Sequence, residues 1–254
     1  MALRLPNGTS ADDRHAAWVR VVERIHSEQV NQGWRHQLFR LVRAVFTTNQ
    51  RLSNDGGFLF NWMAENYLDA SLMVVRRELD IQAGTENLRN LLEDIIEHPE
   101  VLTRARYVLQ WGRGEVAEAN RGFDVFHPVR VAGSSADDYI DPAAVRADLG
   151  RVVADGERLR TFAERTRAHR TPEQGIDTTI TFRDLHQAIH DMRGIVEKYY
   201  LLLTLRTTLG WEPAAPYDTI EAFERPWVND RAAVARAAEP EPTVQPGDRL
   251  RPEA

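Results

Sequence analysis

Apolar residues return every three or four positions from Phe182 to Leu203, through Leu185, Ile189, Met192, Val196 and Tyr199. That period marks a helix with one buried face. Thr181 followed by Asp184 makes a capping box at its start, and Gly210 is a suitable stop residue beyond its end. A second stripe runs through Val145, Leu149, Val152, Gly156, Leu159, Phe162 and Thr166 to end at His169. Asp141 caps it and Pro142 fits its first turn. Together the stripes predict two long antiparallel helices joined as a hairpin.

The first half reads as helix too. Ser10 and Asp13 resemble a capping box, and the helical pattern runs from about Ala11 to Thr48 with a bend expected near Gly33. Asn54-Asp55-Gly56-Gly57 is a turn. From Phe58 to Leu79 apolar residues cover most of the helix circumference, which predicts a helix in the middle of a bundle. Trp18, Trp34, Trp62 and Trp111 read as packing residues. Thr85 is the expected cap of a shorter helix that stops before Pro99. From Val101 to Tyr139 the period weakens, and an irregular insertion is expected at about 110–140. Beyond Trp211 the chain is punctuated by proline, with a short helix expected around Asn229 to Ala238. Residues 239–254, rich in Pro, Glu and Arg, read as a disordered tail. The organisation expected is an all-α bundle: a lead-in over 1–15, a helical domain over 16–210, an extension over 211–238, then the tail.

Composition narrows the chemistry. A chain of 254 residues, 43% hydrophobic and 28% charged, is that of a globular protein. No apolar run reaches the ~20 residues of a spanning helix, and Met1 to Ser10 lacks the apolar core of a signal peptide. A cytoplasmic protein without membrane contact is the expectation. The absence of cysteine excludes disulfides, thiolate nucleophiles and Cys-ligated metals. Lys198 is the only lysine, so arginine richness is a habit of this chain and does not by itself signal phosphate recognition. The net charge of −6 argues against a broad nucleic-acid footprint, while a local basic patch stays open.

Within Glu164-Arg165-Thr166-Arg167-Ala168-His169-Arg170, Arg165 and His169 stand one helical turn apart on one face. A cation beside an imidazole suits phosphate, and it equally complements the dipole of an ordinary helix C-terminus. Arg76 and Arg77 admit the same two readings: bidentate phosphate contact, or dipole complementation with pairing to Glu78 or Asp80. His186 and His190 form an i,i+4 pair that can bind a metal or simply flank the Leu185/Ile189 stripe. The flank reading is favoured, because no third ligand converges. Neither a cofactor nor a metal site is expected, since no glycine-rich phosphate loop, serine nucleophile motif or carboxylate cluster stands out.

Two segments carry a resemblance. Asn66-Tyr67-Leu68-Asp69-Ala70-Ser71, continuing through Val74-Val75-Arg76-Arg77-Glu78-Leu79-Asp80, resembles the signature helix of the AbiU-like branch of the HEPN superfamily. Asn87 to Ile95, Pro99 to Arg104, and the pair Ala168-His169 are similar to that branch as well, and the likeness covers roughly Ala16 to Leu209. It implies a HEPN-type all-α bundle, a homodimer, and a role in phage defence by abortive infection, with a cognate antitoxin or defence partner. It also implies metal-independent RNA cleavage leaving 2′,3′-cyclic phosphate ends. His169 would then be the acid/base, Arg165 the phosphate stabiliser, and Arg76, Arg77 and Arg170 accessory RNA contacts. The family pattern places four to six residues between its Arg and His, whereas three separate Arg165 from His169 and Glu164 adds negative charge beside them. A catalytically inactive module binding RNA, nucleotide or a protein partner is the alternative.

Overall fold

Ser10 starts the first helix, its Oγ accepting from the Asp13 backbone N–H at 3.1 Å, with Asp12 and Asp13 in the dipole-favoured first turn. This helix, α1 (Ala11–Thr48), has 38 residues and is about 57 Å long. It is therefore longer than the core it serves, and its two halves meet different partners. The computed structural model describes residues 3, 5–6, 8–112, 114–126, 138–165 and 180–207. All lie in a unit running from Met1 to Ala214; a second unit, Ala215–Ala254, lies outside the described residues, and with it the expected short helix and tail. Gly210 is outside them too.

α2 (Gln50–Asp55) and α3 (Gly57–Glu78) are separated by Gly56 alone, so the turn expected over Asn54–Gly57 shrinks to one residue. A Cβ at Gly56 would meet the Leu52 carbonyl oxygen at 2.6 Å and the Phe46 ring at 2.8 Å, so only glycine fits this close approach. α4 (Leu88–Glu97) is capped by Asn87, whose side chain accepts from the Asn90 N–H at 2.8 Å. The cap expected at Thr85 moves two residues on, because the Thr85 hydroxyl is taken by the Asn87 and Asn90 amides. Residues 79–87 thus form the α3–α4 connection. Glu78, fully buried, accepts the Leu88 N–H at 3.0 Å and pairs with Arg24 and Arg77. Burial pushes its carboxyl up, against the pull of Arg24, the Leu88 N–H and Arg77.

The stretch expected to be irregular holds two helices, α5 (Arg104–Trp111) and α6 (Val116–Phe126). They are too short to show periodicity and are held from a distance. Arg104 bonds Asp124 at 2.7 Å, Asp138 at 3.3 Å and the Asn120 carbonyl at 3.1 Å, while Tyr107 packs on Phe123 and Phe126. Asp141 and Pro142 start α7 (Pro142–Ala163) as expected, and the Thr181–Asp184 capping box starts α8 (Phe182–Thr204). α8 stops at Leu205, which takes the left-handed conformation (φ 56°) without waiting for Gly210. Asp148, early in α7, holds Lys198 and Tyr199, late in α8, so the two helices run antiparallel.

Among the described residues the fold is all-α, with a single antiparallel bridge, Thr103 to Tyr139, and no helix long and apolar enough to cross a membrane. Trp18, Leu72, Leu91, Phe123 and Tyr199 lie at its core. α3 departs from the expected central position. α7 and the start of α4 cover it around Val75–Leu79, but its first half displays Phe58 (87% exposed) and Trp62 (56% exposed).

Candidate functional site

One seam of α1 steps by four and three through Ile25, Gln29, Gln32, His36, Phe39, Arg43 and Phe46; all are buried or half-buried except Arg43, which is exposed. Four of these seven positions are polar, where a pure packing seam would be apolar. α3 answers with Tyr67 and Ser71, and α8 with Phe182, His186, Ile189 and Arg193, also at steps of four and three. The three seams meet around a cavity of about 510 Å³ whose wall includes Gln32, His36, Arg43, Tyr67, His186 and Arg193.

Gln32 is fully buried, and its amide donates to the Ser71 hydroxyl at 2.6 Å. Its carbonyl oxygen has no partner among the described residues, so a polar group at the cavity wall waits for a donor. The Tyr67 hydroxyl sits 3.0 Å from His36 Nδ1 and 3.0 Å from His186 Nε2. One hydroxyl carries one proton, so it donates to one imidazole and accepts an N–H from the other. The rings of His36 and His186 meet edge to face, 4.4 Å between centroids, and Phe39 stacks on Tyr67 at 4.3 Å. This packing fixes all three polar tips.

Burial, then the neighbouring His36 and Arg43, pulls the His186 pKa down to about 4, so His186 is neutral at pH 7. Burial likewise pushes the Tyr67 hydroxyl up to about 12, against the pull of Ser71 and Arg193. Arg183 and His190 complete a wall of three arginines and three histidines, and no Asp or Glu lines the cavity among the described residues. In a chain of net charge −6 this is a focused positive site. Its size falls within the range of small-molecule pockets, roughly 300–1,000 Å³. No family model, curated protein or solved structure matches the chain.

The residues singled out from sequence fall differently. His169 and Arg170 lie outside the described residues. Arg165 is exposed at the end of α7, and neither it, Arg76 nor Arg77 lines the cavity. Arg77 is occupied by Glu28 at 2.9 Å and Glu78 at 3.5 Å. His186 and His190 both line the cavity; His186 is half-buried and bonded across helices to Tyr67, more than a plain polar flank, while His190 is exposed. Asp94, Glu97 and His98 come within ligand spacing of one another. Yet Asp94 gives both oxygens to Arg14 at 2.7 Å and one also to Trp18 at 2.6 Å, so it ties α4 to α1.

Proposed function

We propose that this chain is an AbiU-like HEPN-type protein that binds RNA at the basic cavity and cleaves it without a metal, in host defence by abortive infection. The observation that carries the reading is the wall of Arg43, Arg183, Arg193, His36, His186 and His190, with no carboxylate among the described lining residues. Such a wall suits an anion with bridging oxygens, and arginine suits phosphate in particular. The signature segment Asn66–Asp80 supports RNA as the source of that phosphate.

In this reading the phosphodiester lies against Arg43 and Arg193, which offset the charge that builds on its oxygens. Neutral His186 takes the proton of the ribose 2′-hydroxyl, the 2′-oxygen bonds to phosphorus, and the bond to the 5′-oxygen breaks. His36 returns a proton to the leaving 5′-oxygen. Tyr67, hydrogen-bonded to both rings, carries the net proton back and resets them. The products carry a 2′,3′-cyclic phosphate and a 5′-hydroxyl.

One observation favours a second reading, RNA binding without cleavage: a pKa of about 4 makes His186 a weak base at neutral pH. A cleavage assay in EDTA with mapped product ends separates them, comparing the natural chain with His186→Asn, His36→Asn and His169→Ala. Cyclic-phosphate ends lost in the first two variants support the cavity as the reaction centre. Loss confined to His169→Ala moves the centre to the Arg165–His169 pair. Binding with no cleavage leaves the module silent.

A further inference from the structure

A second hollow, about 410 Å³, opens on the α1–α3 face, and Tyr67 lines both it and the basic cavity. Its wall differs in kind: Leu38, Phe39, Val42, Trp62 and Met63 give it an apolar surface, with Asn66 and Arg35 as polar members. Trp62 on α3 is 56% exposed and Leu38 on α1 48%, so both helices hold apolar side chains open at this hollow. A large indole held open to solvent beside a cationic pocket offers flat apolar area to whatever carries the anion. The Asn66 amide donates to the Trp62 carbonyl at 2.7 Å, which turns Asn66 back along its own helix beside the indole.

We infer that this hollow is a nucleobase subsite: single-stranded RNA places one phosphate in the basic cavity and stacks a neighbouring base on Trp62. The inference rests on the cavity being a phosphodiester site. The two hollows share a single aromatic residue as common wall, and a nucleotide has the matching build, an anionic end joined to a flat, largely apolar ring. No carboxylate lines either hollow among the described residues, so nothing there repels the backbone between them. Stacking on an aromatic side chain tolerates any base, so the subsite sets affinity for unpaired RNA more than sequence.

The test measures binding of a fluorescein-labelled five-nucleotide RNA, and of the same RNA with abasic central positions, by anisotropy in EDTA on the full chain. Binding of the intact RNA about tenfold tighter than the abasic one, with that ratio collapsing in Trp62→Ala and largely kept in Trp62→Phe, supports the subsite. Trp62 is exposed, so both variants fold, which circular dichroism verifies. An Arg43→Ala variant that weakens both RNAs while Trp62→Ala leaves their ratio intact overturns the base subsite alone. Failure of either RNA to bind, or no effect of Arg43→Ala, overturns the phosphodiester site and this inference with it. A sedimentation change from dimer to monomer in Trp62→Ala, with the ratio unmoved, assigns the hollow to a second copy of the chain and overturns it also.

Discussion

The hydroxyl of Tyr67 lies 3.0 Å from Nε2 of His186, joining α3 to α8 across 119 residues of sequence. Burial beside that contact, then the charges of His36 and Arg43, pulls the His186 pKa down from its ordinary 6.5 to about 4. Below pH 6.5 the unfolded chain takes up a proton that the folded chain refuses until about pH 4, so acid costs stability across that window and no further beneath it. His15 and His26 are also lowered by burial and add to the same trend. The expected result is that His186→Asn shrinks the fall in Tm between pH 7 and pH 4 relative to the natural chain. Parallel melting curves of the two proteins would exclude a buried neutral imidazole.

Burial is the main cause of the low His186 pKa, and His36 and Arg43 add to it. An anion in the cavity opposes that added charge, so bound RNA is expected to raise the pKa. A phosphodiester keeps one charge throughout this range, and its binding is therefore expected to tighten severalfold from pH 7.5 to pH 5. Arg43 supplies part of that charge. Removing one phosphate contact with Arg43→Ala makes the slope of log K against log salt shallower by about 0.7. Equal slopes for both proteins would place Arg43 away from the phosphate.

What was legible in the sequence and what was not follows from range. The α8 stripe and the Thr181–Asp184 box are local patterns, and both stand where the spacing put them. α5 and α6 were hidden because Arg104 reaches 20 residues to Asp124 and 34 to Asp138, pairings that no local period reports. The all-round apolar pattern of α3 suggested a buried centre, yet apolar residues on its first half line an open hollow instead. The cavity does leave a mark in the sequence. Gln29, Gln32 and His36 keep the seam of Ile25 and Phe39, and polar groups on a packing seam need a reason. Tyr67 leaves no such mark, because its hydroxyl finds its partners on α1 and α8 only after folding.

The sole lysine anchors the α7–α8 pair. Lys198 Nζ donates to Asp148 at 2.6 Å and the Tyr199 hydroxyl to the same oxygen at 3.0 Å, with Arg151 on the other oxygen. Asp148 is 1% exposed, so removing it strands the buried Tyr199 hydroxyl and leaves the partly exposed Lys198 without its carboxylate. Asp148→Ala is expected to cost about 2 kcal/mol. Lys198→Met is expected to cost only about 1 kcal/mol, because Asp148 keeps Tyr199 and Arg151. Urea unfolding of both variants checks the asymmetry, and equal losses would contradict it.

Gly156 lets α7 press against α3. A Cβ there would overlap Leu79 Cδ1 and touch Val75 at 3.4 Å, and Leu79 is fully buried with little room to turn aside. Alanine favours the helix by as much as ~1 kcal/mol over glycine, yet overpacking costs about 1–3 kcal/mol, so Gly156→Ala is expected to destabilise on balance. The clash has a specific partner, which allows a sharper test than one variant. Leu79→Ala alone leaves a cavity and costs about 2–5 kcal/mol. In the double variant the new methyl occupies part of the space that Leu79 vacates, so the combined loss should fall short of the sum by about 1 kcal/mol. Agreement with the sum within about 0.5 kcal/mol would mean that the helices separate as a whole and that the Gly156–Leu79 contact does not set their spacing.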